Sequence, residues 1–328
     1  MSGEWTWHGG RLAEARAFFG EGAEPWIDLS TGINPVAWPG AAAIAPDWHP
    51  LPDPRQLAAL EAAAARHFGV DPAHCCAVPG SEMGLRLLAA ILPLPALHFT
   101  PAYRTHGAIF PQSRGIADVP ASLAEPSALL LANPNNPDGR MVAPAQLLAW
   151  LGRMQDAGGW LIVDEAFADA APGQSVAAMV ADDRQLIVMR SFGKYFGLAG
   201  LRLGFVLGPA RIVAAYRQWL GDWPLSAAAL AIGTEAYRDT GWIARTRADL
   251  PERAARLDDL LMRHGHRPIG HCPLFRLIEA DDAHGLFQHL ARHAILTRPF
   301  AENPRWLRFG LPSGAAAYER LDRALANG

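Results

Sequence analysis

Short apolar runs alternate with stretches in which apolar residues recur every three or four positions, and this alternation sets the expected fold class. The runs Cys75–Val78, Leu97–Phe99, Ala128–Leu131, Leu161–Val163, Leu186–Met189 and Leu203–Leu207 have the length and composition of buried strands. Between them, Glu82–Ile91 and Pro144–Gln155 read as helices, the second with Leu147, Leu148, Leu151 and Met154 on one face. A further helix is delimited at both ends. Asp53-Pro54 supplies an N-cap and a first-turn proline, Leu57, Leu60, Ala64 and Phe68 follow at helical spacing, and Gly69 is placed to end it. Strands alternating with helices predict an α/β protein with a mostly parallel central sheet covered by helices.

The two ends of the chain have a different texture. Residues 1 to about 50 show weak periodicity and several prolines, which predicts an irregular arm. After Pro209, Ala- and Arg-rich helical segments fill about 209–264. A smaller strand–helix–strand pattern follows, with Leu274–Ile278, Ala283–Arg292, Ala294–Thr297, Trp306–Phe309 and a last helix near 313–326. The organisation expected is an arm over 1–40, a large domain over 41–209, and interdomain helices with a smaller α+β domain over 210–328. A chain of 328 residues accommodates two domains at about 150 residues each.

Composition narrows the function classes. Half the residues are hydrophobic and 19% are charged, enough for a large core and against disorder. The net charge of −3 carries no long like-charge block, which argues against a nucleic-acid or membrane surface. Three cysteines, Cys75, Cys76 and Cys272, make no disulfide framework and point to a reducing compartment. The most apolar stretch, Leu87–Leu97, is interrupted by Pro93 and Pro95, too short and broken to span a bilayer, and Met1–Arg11 lacks the apolar core of a signal peptide. A soluble cytoplasmic protein is expected.

Candidate chemistry gathers at the carboxyl ends of the strand candidates, where open α/β sheets bind ligands. Pro79-Gly80-Ser81-Glu82 follows the first strand, and a Gly-Ser turn opening a helix offers backbone N–H groups to an anion. Asn133-Pro134-Asn135-Asn136-Pro137-Asp138-Gly139 follows the third. The fourth runs into Asp164-Glu165-Ala166-Phe167, an acid that can bind a cation, orient a histidine or pair with a cationic cofactor. An ATPase reading of that acid fails, because the only Gly-Lys pair, Gly193-Lys194, lacks the earlier glycine of a phosphate loop. Lys194 lies in Ser191-Phe192-Gly193-Lys194 and is the only lysine among 29 Lys and Arg residues. Schiff-base chemistry needs an amine that deprotonates, which arginine does not provide.

These segments, in this order and spacing, resemble the fold-type I pyridoxal-phosphate (PLP) enzymes of the aspartate-aminotransferase superfamily. The resemblance covers nearly the whole chain and implies PLP as cofactor, no metal, and a homodimer. It makes Lys194 the amine that carries PLP, Asp164 the partner of the pyridine nitrogen, Asn136 the donor to the ring 3′-oxygen and Tyr103 the stacking aromatic. Gly80, Ser81 and Glu82, with Ser191 and Arg202, would hold the phosphate. Arg308, in Leu307-Arg308-Phe309-Gly310, matches the arginine that binds a substrate carboxylate, and Arg298 is a second anion ligand. Two positions depart from the pattern. Phe167 replaces the usual tyrosine of Asp-x-Ala-Tyr, and Leu51 replaces a tyrosine that often reaches the partner subunit's phosphate.

Within the superfamily the chain resembles most the threonine-phosphate decarboxylase family of cobalamin synthesis. His8-Gly9-Gly10, the stretch Asp28-Leu29-Ser30-Thr31-Gly32-Ile33-Asn34-Pro35, and Asp-Glu-Ala-Phe followed by Leu-Arg-Phe-Gly-Leu-Pro carry this likeness. It implies a small phosphorylated amino acid as substrate, held by His8, Gly9, Gly10, Asn34, Asn136, Arg298 and Arg308. The reaction implied is decarboxylation of L-threonine O-3-phosphate. The alternatives are a histidinol-phosphate aminotransferase or, in a different class, a metal or binding protein built on His264, His266, His271, Cys272, His289 and His293, a set that no carboxylate or further cysteine completes.

Overall fold

In the computed structural model, which describes residues 4–120 and 125–327, the chain packs as two units. The smaller comprises Met1–Val36, Pro137–Arg140 and Arg247–Gly328, and the larger comprises Ala37–Asn136 and Met141–Thr246. The boundary suggested by texture near residue 210 falls inside the larger unit, and the arm packs with the C-terminal segment.

The chain begins in the smaller unit with α1 (Glu4–Trp7), α2 (Leu12–Phe19) and β1 (Ile27–Asp28). The larger unit then runs α3 (Pro54–Phe68), β2 (Cys75–Val78), α4 (Ser81–Ile91), β3 (Ala96–Phe99), α5 (Arg104–Ala108), β4 (Ser113–Ile116) and β5 (Ala128–Ala132). It continues with α6 (Pro144–Asp156), β6 (Trp160–Glu165), β7 (Leu186–Ser191), α7 (Phe192–Tyr195), β8 (Gly204–Leu207), α8 (Ala210–Leu220) and α9 (Ala227–Arg238). Helix α10 (Thr240–Arg263) leads back into the smaller unit, followed by β9 (Pro268–Ile269), β10 (Phe275–Glu279), α11 (Ala283–Arg292), β11 (Ile295–Leu296), β12 (Arg298–Pro299), β13 (Trp306–Gly310) and α12 (Ala315–Ala326).

The larger unit is a seven-stranded sheet in the order β2-β8-β7-β6-β5-β3-β4, with every pair parallel except those made by β8. Strands β5, β6 and β7 are buried along their whole length, as continuous apolar runs in a covered parallel sheet require. One face packs Leu85 and Leu88 of α4 and Tyr216 of α8 against Val78, Ile162, Met189 and Val206. Helix α3 is capped as its sequence predicts: Asp53 accepts from Arg55 N–H, and Gly69 closes it at φ 73°. Its Glu61 closes the sheet edge, accepting the outward Ala77 N–H of β2 at 2.9 Å, while Arg217 bridges Glu61 and the Cys75 carbonyl. Strand β4 has no counterpart among the predicted runs, because only its Ile116 is both apolar and buried.

In the smaller unit, β12-β13-β10-β9 form an antiparallel sheet. The arm is more ordered than its sequence suggests. Ile27 of β1 pairs in parallel with Ile295 of β11, and Trp5 packs its ring 5.7 Å from Phe19 and 5.9 Å from Phe287. Among the described residues no helix is long and apolar enough to cross a membrane.

Candidate active site

Register brings the carboxyl ends of β5, β6 and β7 level, with Asp164 beside Ala132 on one side and Met189 on the other. Asp164 is buried; its Oδ1 accepts from Ala166 N–H at 3.1 Å and its Oδ2 from His106 Nε2 at 3.0 Å. His106, which the sequence reading missed, is fully buried, and its Nδ1 has no hydrogen-bond partner. The bond to Asp164 therefore orients the ring.

Helix α4 opens immediately after Gly80, which takes φ 86°, so the first-turn N–H groups of Ser81 and Glu82 have no carbonyl within the helix to meet. Two neighbours approach this turn closely. A side chain at Gly204 would put its Cβ only 2.4 Å from Ser81 N, and one at Gly80 would lie 2.7 Å from an Arg202 guanidinium nitrogen. Arg202 adopts the left-handed region at φ 55°, unusual for a residue with a Cβ, and its side chain is exposed beside Gly80. Ser191 is buried at the end of β7.

Lys194 sits in the short helix α7, its Nζ 5.9 Å from the centroid of the Phe167 ring. Packing on either side fixes that helix. Phe192 stacks on Phe196 at 4.4 Å, the Tyr195 hydroxyl donates to the Ile243 carbonyl at 2.6 Å, and Trp38 N–H donates to the Phe196 carbonyl. The Tyr103 hydroxyl donates to Glu82 at 3.1 Å, and its ring stands edge-on to His106. Burial, reinforced by the Glu82 charge, pushes the Tyr103 phenol up. Asn136 is half-buried, next to Asn135, whose amide donates to the Pro101 carbonyl in the loop leading to Tyr103.

The larger unit thus joins Glu82, Tyr103, His106 and Asp164 in direct contact. It also gathers a primary amine, a buried carboxylate and a helix N-terminus beside an arginine. This donor set fits PLP: an attachment point, a partner for a ring nitrogen and a phosphate cradle. Phe167 offers the amine a ring face and no hydroxyl. Leu51 is 66% exposed and likewise carries no hydroxyl.

Behind these residues lies a second cluster that sequence reasoning missed. Arg190 donates to Glu165 and to Asp169 at 2.5 Å each, Ser175 donates to Glu165, and His67 pairs with Asp169 at 2.8 Å. Adjacency was the available signal: Glu165 follows Asp164, Arg190 precedes Ser191, and the two stand opposite each other in neighbouring strands. Burial draws the Arg190 pKa down, but Asp169 and Glu165 more than offset it, and the net direction is upward.

The smaller unit gathers the other predicted residues. Arg298 and Arg308 are direct cross-strand neighbours in β12 and β13, and both are buried. Like charges directly opposed across strands destabilise a sheet. Arg308 lies over the Phe275 ring at 4.9 Å and donates to the Ser30 carbonyl at 3.0 Å; Arg298 lies over Phe300 and donates to the Trp7 carbonyl. Burial and then the Arg298 charge push the Arg308 pKa well down. Gly9 and Gly10 abut Ser30, His8 is exposed next to them, and the buried Asn34 accepts from Val36 N–H through its own side chain. Of the candidate metal histidines, His264 pairs with Asp322, while His289, its ring 4.5 Å from that of His293, bonds the Ala324 carbonyl. Among the described residues no three metal-ligating side chains come together.

Residues 113–325 match the family model of class I and II aminotransferases. The chain is 42% identical to a threonine-phosphate decarboxylase from a Sinorhizobium species, covering 97% of each chain. It is 40% identical to a threonine-phosphate decarboxylase from Pseudomonas aeruginosa, covering 97% of this chain and 96% of the other. Its fold matches that of a histidinol-phosphate aminotransferase from Sinorhizobium meliloti, solved in complex with pyridoxal-5'-phosphate, with a TM-score of 0.81 at 20% identity over 97% of this chain and 96% of that one. The family model alone spans well over half of the sequence, and the chain belongs to the class I and II aminotransferase family.

Proposed function

We propose that the protein is a PLP-dependent decarboxylase that converts L-threonine O-3-phosphate to (R)-1-aminopropan-2-ol O-phosphate and CO₂, in cobalamin biosynthesis. The observation that carries this reading is the near full-length similarity to two threonine-phosphate decarboxylases. The opposed Arg298 and Arg308 agree with it, since the substrate bears both a carboxylate and a phosphate. Bound PLP supplies an electron sink for the pair left on Cα when CO₂ departs.

The chain's own residues supply the rest. Lys194 attaches the cofactor through Nζ and, once displaced by the substrate amine, returns a proton to Cα. Asp164, oriented by His106, keeps a proton on the ring nitrogen. Tyr103 covers the ring, its hydroxyl fixed by Glu82. Asn136 donates to the ring oxygen, a contact left to it alone because Phe167 has no hydroxyl. The Gly80-Ser81-Glu82 backbone, Ser191 and Arg202 bind the cofactor phosphate. Arg298, Arg308, His8, Gly9, Gly10 and Asn34, with Asn136, bind the substrate's anionic groups. The proposal includes a homodimer in the cytoplasm, with the arm over residues 1–40 covering substrate. Trp48 and Leu51 are large apolar side chains exposed near that arm in sequence.

The test is to incubate the holoenzyme with threonine phosphate and no keto acid, and to measure CO₂. Release at turnover rates is expected, with loss of both release and visible colour in Lys194→Ala. Activity that appears only with 2-oxoglutarate would make the protein an aminotransferase.

A further inference from the structure

Asp28 and Ser30, in the stretch Asp28–Asn34, have no part in the chemistry above. They lie where three segments of the smaller unit cross. Asp28 Oδ1 accepts from Ser30 twice, from its backbone N–H at 2.8 Å and from its hydroxyl at 2.6 Å. The first bond is an Asx-turn that sets the Ser30 backbone. The second commits the hydroxyl proton and leaves Oγ as an acceptor. Gly10 N–H donates to that Oγ at 2.8 Å. The Ser30 carbonyl, for its part, accepts from Arg308 at 3.0 Å. Gly9 packs on the same carbonyl so closely that a Cβ there would sit 2.2 Å from the oxygen. One residue, 2% exposed, therefore bonds the arm through its side chain and the anion-site arginine through its main chain.

We propose that Ser30, oriented by Asp28, is a positioning residue that couples docking of the His8–Gly10 segment to the orientation of the Arg308 guanidinium, and so to affinity for the substrate's anions. A guanidinium is a planar fork, so fixing one of its nitrogens on the Ser30 carbonyl fixes the plane presented to an anion. Coupling of this kind is reciprocal: an anion that holds Arg308 also holds Ser30 and protects the Gly10 amide. The proposal rests on the function above only in taking the natural ligand of Arg308 to be threonine phosphate.

Hydrogen exchange on the holoenzyme, read at residues 8–11 with and without saturating inorganic phosphate, tests the coupling without turnover. In the unaltered protein, phosphate should slow exchange at Gly10. Ser30→Ala keeps the carbonyl and loses Oγ. It should raise Gly10 exchange and the KM for threonine phosphate about tenfold each, the size of one hydrogen bond. Its kcat should stay within about twofold and its bound-cofactor absorbance unchanged, since the effect of one hydrogen bond falls on binding. Ser30→Thr, which retains the hydroxyl, should behave as the unaltered enzyme. Gly10 exchange indifferent to phosphate, or faster exchange with an unchanged KM, would overturn the coupling. An enzyme that does not decarboxylate threonine phosphate but still shows phosphate protection of Gly10, lost in Ser30→Ala, would overturn the function and leave the coupling standing.

Discussion

Two buried arginines, one in each unit, are treated in opposite ways by their surroundings. Arg190 in the larger unit is gripped by Glu165 and Asp169, and its hold on its proton is strengthened. Arg308 in the smaller unit faces Arg298 across the sheet, donates to a main-chain carbonyl and lies over an aromatic face, and its hold is weakened. Burial acts against the charge in both cases. The difference is which neighbouring charge prevails: the Glu165 and Asp169 carboxylates at Arg190, and at Arg308 the Arg298 guanidinium over the smaller opposing effect of Asp28. Where carboxylates prevail, removing the cation destabilises the fold. Where a like charge prevails, binding of an anion is favoured, which is the role proposed for Arg308 above.

The largest expected effect breaks the first half of this comparison. Arg190→Met leaves Glu165 and Asp169 buried without their guanidinium and should cost ~3–5 kcal/mol of stability, measured by urea unfolding of the holoenzyme. The second half predicts the reverse pattern for Arg308→Met. Unfolding stability should be unchanged or improved, while KM for threonine phosphate rises about 10²-fold, equivalent to ~2–3 kcal/mol of charge-assisted hydrogen bonding. A loss of stability in Arg308→Met as large as that in Arg190→Met would make Arg308 a structural cation and dissolve the contrast.

The residues of each site differed in how openly the sequence displays them. Lys194 stands out by composition alone, and Asp164 by its place at the end of an apolar run. His106 does not, because its role comes from α5 reaching a carboxylate 58 residues away in sequence. One histidine among twelve carries no mark of that. The sheet was legible wherever a strand is buried along its length. Strand β4 was not, since Arg114 and Gly115 are exposed and the pattern has no apolar run. The arm reads as irregular in sequence because β1 is two residues long and takes its partner, β11, from the far end of the chain. The sequence marks Arg298 and Arg308 only as two candidate anion ligands; that they stand opposed follows from strand register, which sequence spacing does not contain.

The smallest effect sharpens the comparison, because Glu61 is the larger unit's exception. It has a cationic partner, Arg217 at 2.8 Å, yet burial outweighs that pairing and its pKa is raised. Arg217 is half exposed, so water screens what it offers. A carboxylate with a raised folded-state pKa retains its proton where the unfolded chain has already released it. The stability it contributes is present below the unfolded value, about pH 4, and is lost as pH rises through the folded one. Glu61→Gln removes that decline while keeping an oxygen for the Ala77 N–H at the sheet edge. The unfolding free energy of Glu61→Gln minus that of the unaltered protein should therefore climb as pH rises from about 4 to 7. A difference that stays flat or falls would mean that Arg217 cancels the buried charge as completely as Glu165 and Asp169 cancel that of Arg190. Partial exposure of a partner would then be no barrier to neutralisation, and the contrast between the units would rest only on the sign of the neighbour.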